Sequence, residues 1–149
     1  MVVSVERHGM QMEREEIKEI LPHRDNMLLL DEVKSENGTA IGRYTVRGDE
    51  FFLKEHFPGN HIVPGVILCE ILAQSACILL KDEITGGKFP VYTGMDRVRF
   101  REQVRPGDTI ETRCSIKKAK GPFYFAEGTA RVGGKVCMSA EFSFAIVEG

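Results

Sequence analysis

His56, Gly65, Glu70 and Gln74 fall close together, along the stretch Glu55–Glu70 (EHFPGNHIVPGVILCE) and its continuation to Gln74. Each type suits one part of a single reaction. An imidazole that titrates near neutral pH can take up a proton. A carboxyl among small and apolar neighbours can be kept in its acid form and give one. Gly65 stands where a helix should start, and free N–H groups and the helix dipole there favour developing negative charge. Its missing side chain would let a carbonyl approach the backbone closely. Base, acid and oxyanion donor together fit proton abstraction next to a carbonyl with loss of a β-hydroxyl as water.

The same residues carry plainer readings. At helical spacing Glu70 shares a face with Val66, Ala73, Gln74 and Cys77, and Gln74 can hydrogen-bond its carboxyl or a water beside it. A buried glutamate satisfied by Gln74 or by a backbone group, with no part in chemistry, fits that pattern too. Histidines are more often structural than catalytic, and His23 and His61 compete with His56 for the role. Arg97, Arg99 and Arg101 alternate and so project from one face of a strand. They make either a solvated face or a docking patch for an acidic partner. Cys69, Cys77, Cys114 and Cys137 show no CxxC spacing and no paired histidines, so zinc and dithiol redox sites fail. They read as reduced core thiols. Cys69 beside Glu70 makes a poor nucleophile, because an apolar setting leaves a thiol inert.

The elements that must hold these residues follow from periodicity and breakers. Glu13 to Leu21 (EREEIKEIL) has the acidic start and apolar side of a short amphipathic helix, stopped by Pro22. Met27 to Val33 suits a strand. Asn37-Gly38 signals a hairpin into a second strand over Thr39–Val46. Asp49 to Val63 is a long connection without strong periodicity, and long loops in compact domains tend to be functional. Pro64 and Gly65 open an apolar run to Leu80, interrupted only by Glu70, Gln74 and Ser75, which predicts a core helix. Strands follow over about Val91–Arg101, Thr109–Lys117, Phe123–Val132 and Lys135–Val147. In the last, Val136, Met138, Ala140, Phe142, Phe144 and Ile146 face one side, as in a half-buried antiparallel strand. A helix apolar nearly all round must be covered on most sides. The reading is an α+β domain over residues 1–149, with five or six antiparallel strands wrapped around one long helix.

Composition narrows the function. At 149 residues, with 42% hydrophobic and 28% charged side chains, the chain builds one real core and is not disordered. A net charge of −2 gives no general drive toward nucleic acid or a membrane surface. The helical run is shorter than a membrane span and carries Glu70. The N-terminus is charged where a signal peptide needs an apolar core. These features predict a cytoplasmic protein.

Taken in order, Leu21-Pro22-His23-Arg24, HFPGNHIVPGV with Glu70 and Ala73-Gln74 behind it, GMDRVRFR (94–101) and VRPGD (104–108) resemble the (3R)-hydroxyacyl-[acyl-carrier-protein] dehydratases of type II fatty-acid synthesis, the FabZ type. The likeness runs from about Ile17 to Val147. It implies a hotdog fold and removal of water from a (3R)-3-hydroxyacyl thioester on acyl carrier protein, giving the trans-2-enoyl product without metal or other cofactor. It implies His56 as the base, Glu70 of a second subunit as the acid, and Gly65, Val66 and Gln74 as substrate-binding residues. Arg97, Arg99 and Arg101 would dock the carrier. Homodimers with shared sites, assembled into hexamers, are implied as well. Glutamate rather than aspartate at position 70 implies dehydration alone. His61 and Asp25-Asn26 depart from the family pattern and leave acid and base intact. Two other classes share parts of this pattern: a hotdog thioesterase or coenzyme A-linked hydratase, and a non-catalytic acyl-carrier-binding module.

Overall fold

The computed structural model describes residues 10–21, 27–54, 61–84 and 86–149. Seven strands form one antiparallel sheet: β1 (Met10–Glu13), β2 (Glu32–Glu36), β3 (Thr39–Thr45), β4 (Lys88–Phe100), β5 (Thr109–Lys120), β6 (Phe123–Val132) and β7 (Lys135–Glu148). Their spatial order is β1-β2-β3-β5-β6-β7-β4. Among the described residues three α-helices accompany them: α1 (Arg14–Ile17), α2 (Phe51–Lys54) and α3 (Gly65–Ala76). The turn chemistry is where the sequence puts it. Asn37 and Gly38 both adopt positive φ (51° and 83°) between the paired Glu36 and Thr39, as a two-residue hairpin loop requires. Gly133 and Gly134 repeat the device between β6 and β7.

The connection from β3 to β4 crosses from the middle of the sheet to its far edge, and α3 lies within it. The helix packs chiefly against β5 and also against β3, β6 and β7. Ile67, Leu68, Ile71, Leu72 and Ala76 are buried there with Ile110, Ala126, Ala130, Met138, Phe142 and Phe144. This is the hotdog arrangement, one helix held against a curled antiparallel sheet. At the closest approach β3 has Gly42, whose amide donates to Thr112 Oγ1 at 3.0 Å. Ser75 Oγ sits 2.6 Å from that oxygen and donates to the Ile71 carbonyl. The polar chain is closed within the core, as buried hydroxyls must be.

Four expectations are corrected. Among the described residues the sheet has seven strands, not five or six, because β1 pairs on the outer side of β2. The helix expected over Glu13–Leu21 is confined to Arg14–Ile17, with a capping box between Glu13 and Glu16 at its start and turns after it. Met27–Val33 is not a strand before Glu32. Leu28, Leu29 and Leu30 are fully buried, but side chains serve their backbone: Gln74 binds the Leu29 N–H, and Arg14 donates to the Leu28 and Leu30 carbonyls. Finally, the helix begun at Gly65 tightens at Cys77 into a 3-10 turn, Cys77–Leu80.

Candidate active site

Glu70 lies in the second turn of α3, half-buried, and opens onto a cleft of about 230 Å³. One wall is a face of the helix: Glu70, Ala73, Gln74 and Cys77. The other is Pro90, Val91 and Tyr92 of β4 with Phe144 of β7. Gln74, 2% exposed, donates from Nε2 to Glu70 Oε2 at 3.1 Å and to the Met27 carbonyl at 2.8 Å, and its Oε1 accepts the Leu29 N–H at 2.9 Å. All three hydrogen bonds fix one orientation of the amide, since a flip would set N–H against N–H. Helical spacing supplies the Gln74–Glu70 pair, whereas the backbone of Met27 and of buried Leu29 supplies the clamp.

Tyr92 closes the strand side. Its hydroxyl donates to the Cys69 carbonyl at 2.5 Å, and its ring meets Phe142 edge-on with centroids 6.2 Å apart. Burial, with the negative charge of Glu70 adding to it, drives the phenol well above its ordinary range, so it remains a neutral donor. Cys77 is buried, and burial plus the Glu70 charge pushes its thiol up to about 12. Burial likewise raises Cys69, in keeping with an inert thiol. All four cysteines are free and buried.

Gly65 is differently placed from the open approach its residue type suggested. A Cβ there would come within 2.7 Å of the Phe100 ring, so the space its missing side chain leaves is occupied by Phe100, itself 54% exposed. Val66 is 74% exposed and does not line the cleft. His56 and His23 lie outside the described residues. His61 is described, and its Nδ1 is 3.2 Å from the Leu53 carbonyl.

Of the three arginines expected on one face, only two share it. β4 slips register between Asp96 and Arg99, and Arg97 takes a positive φ of 51°, a β-bulge that re-aims its side chain. Arg97 and Arg99 still line one groove on the sheet face, joined by Arg113 of β5, while Arg101 lies beyond the strand end. Arg97 is 3.7 Å from Glu141.

Sequence reasoning missed Tyr92 and a second polar cluster ahead of α2. There, buried Glu50 accepts from Tyr44 Oη at 2.6 Å and from the N–H groups of Arg47 and Gly48, each at 2.8 Å. Burial alone would raise the Glu50 carboxyl; these donors outweigh it and hold the group below its ordinary value. An acidic residue directly before Phe51-Phe52 was the available signal.

Among known proteins, the FabA-like domain family matches residues 21–141, which takes in the 27–29 clamp, α3 and every residue lining the cleft except Phe144. The chain is 42% identical over 137 residues to the 3-hydroxyacyl-[acyl-carrier-protein] dehydratase FabZ of Macrococcus caseolyticus, covering 90% of this chain and 94% of that one. It is 44% identical over 133 residues to the protein of the same name from Clostridium perfringens, covering 88% and 96%. Among solved structures, a dehydratase heterocomplex from Xenorhabdus doucetiae, ApeI:P, superposes with a TM-score of 0.76 at 18% identity, over 89% of this chain and 91% of the other. That likeness speaks for the fold, and the sequence matches speak for descent. A carboxylate clamped beside an apolar cleft, on a helix set against this sheet, is thus carried by a chain that belongs to the FabA-like domain family.

Proposed function

We propose that the chain removes water from a (3R)-3-hydroxyacyl thioester carried on acyl carrier protein, giving the trans-2-enoyl thioester of fatty-acid synthesis. The observation that carries this is Glu70, held by Gln74 at the mouth of an apolar cleft, in a chain 42–44% identical to dehydratases named for that reaction. In the proposed step His56 takes a proton from the α-carbon, and the freed electron pair forms the new C=C bond. Glu70 enters the step protonated, and the β-carbon–oxygen bond breaks as it gives that proton to the leaving hydroxyl, which departs as water. The backbone N–H of Gly65 holds the thioester oxygen as charge develops on it, which requires the exposed Phe100 ring beside Gly65 to move aside. Exchange with solvent returns His56 and Glu70 to their starting forms.

The proposal includes a homodimer whose two sites are each shared, His56 from one subunit working with Glu70 of the other, and a hexamer built from three such dimers. The uncovered edge of β4, with Tyr92, Met95 and Phe100 exposed along it, supports pairing of subunits there, since such edges seek a partner. Docking of the acidic carrier on Arg97, Arg99 and Arg101 is part of the same reading, supported by the groove that gathers Arg97 and Arg99 beside Arg113. We place the reaction in the cytoplasm; no described helix is long and apolar enough to cross a membrane.

The test is hydration of crotonyl-carrier thioester by the purified protein. His56→Ala and Glu70→Gln should each abolish it, and full activity in either overturns the assignment. Mixed His56→Ala and Glu70→Ala chains should regain activity. No recovery despite demonstrated subunit exchange would overturn the shared site.

A further inference from the structure

We propose that Cys77 sets the length of acyl tail the cleft accepts; this rests on the dehydratase reading of Glu70. The cleft follows one face of α3 for two turns. Glu70 stands at one end, Ala73 and Gln74 one turn on, and Cys77 two turns on, about 10 Å away at the rise of a helix. The two ends differ. Towards the helix start the surface opens, with Val66 74% exposed. At Cys77 it closes: Cys77, Ile78 and Leu80 are all buried, and the chain tightens from α-helix into a 3-10 turn there.

A thioester tethered to a water-exposed carrier enters from the open end, and its apolar tail takes the closed end, where burial is favourable. With the reacting carbons at Glu70, the tail runs along Ala73 until it meets the Cys77 side chain. The opposite wall does not give readily, because the Tyr92 hydroxyl is tied to the Cys69 carbonyl and Phe144 is buried in the core. At about 230 Å³ the cleft is smaller than the roughly 300–1,000 Å³ of most ligand sites. The neutral, buried thiol behaves as a small hydrophobe rather than a ligand. It is a floor, and removing it deepens the cleft.

The experiment pairs two readouts on wild type, Cys77→Ala, Cys77→Gly and Cys77→Leu. One is kcat/KM for 3-hydroxyacyl-carrier substrates from butanoyl to hexadecanoyl. The other is calorimetric binding of saturated acyl-pantetheine amides of the same lengths, which needs no turnover. Alanine and glycine should move both optima to longer tails, changing the long-to-short ratio about tenfold or more, and leucine should move them to shorter ones. Profiles of unchanged shape in the folded variants overturn the proposal. Length-dependent binding that shifts as described, without dehydration of any substrate by the wild type, supports the floor and overturns the dehydratase reading instead.

Discussion

Gln74 divides one amide nitrogen between the Glu70 carboxylate, at 3.1 Å, and the Met27 carbonyl, at 2.8 Å. The acid is thereby tied to a buried segment remote in sequence, not only to its own helix. Replacing Gln74 with alanine would remove its hydrogen bond to the Glu70 carboxylate and would strand the Leu29 N–H and the Met27 carbonyl. We expect kcat to fall by roughly 10- to 100-fold with little change in KM, since positioning of a proton donor is what is lost. Stability should fall by about 2–4 kcal/mol for the orphaned groups and the void. Steady-state kinetics and denaturant unfolding check both, and a variant with unchanged kcat would show that Gln74 does not position the acid.

Glu50 predicts behaviour in acid. Its carboxyl, normally at 4.5, is held lower in the folded chain by three donors. The folded state therefore gains stability above pH 4.5, lost as pH falls through the lower folded value. Glu50→Gln should cost about 2 kcal/mol at neutral pH. The gap between variant and wild type should close as pH drops below 4.5. Unfolding curves at a series of pH values would show it, and a gap constant across that range would contradict it.

Gly42 has no room for a methyl group. A Cβ there would fall 2.5 Å from Ser75 Oγ, 2.7 Å from Thr112 Oγ1 and 2.9 Å from Leu30 Cδ2. Gly42→Ala must push α3 off β3 or break the hydroxyl chain, costing about 3 kcal/mol. Differential scanning calorimetry should record a Tm lower by several degrees, and an unshifted Tm would mean that helix and strand are less closely packed than described.

The thiols predict behaviour in base. Burial, together with the Glu70 charge, raises Cys77 from 9.0 to about 12, and burial raises Cys114 even further. Below pH 9.0 folded and unfolded chains both keep these protons. Above it the unfolded chain releases them and the folded chain does not, so stability falls as pH rises from 9.0 towards 12. At neutral pH iodoacetamide should leave the folded protein unmodified at Cys77 and Cys114, because the thiolate is the reactive form. Mass spectrometry of the treated protein checks this, and rapid alkylation at either site would count against it.

Elements whose signals are local were legible in the sequence. The apolar run behind Pro64 specified α3, Asn37-Gly38 and Gly133-Gly134 specified their hairpins, and the alternation of β7 marked its buried face. The ordered motifs from Leu21 to Asp108 pointed to the family, and helical spacing alone set Gln74 beside Glu70. Tertiary structure decided what sequence spacing does not encode. Met27–Val33 suits a strand because it is a short apolar run, with nothing to say what its peptide groups bind; Gln74, 45 residues further on in the case of Leu29, and Arg14 take them instead. The three arginines alternate in sequence, and Arg97 and Arg99 share a groove despite the bulge between Asp96 and Arg99, but the strand ends at Phe100 and leaves Arg101 outside it. Strand order placed β4 at the far edge, and only that brought Tyr92 opposite Cys69 and made Cys77 the end of a cleft. Periodicity reports which side of an element is buried. Which residues meet across that boundary depends on how the whole sheet closes over α3.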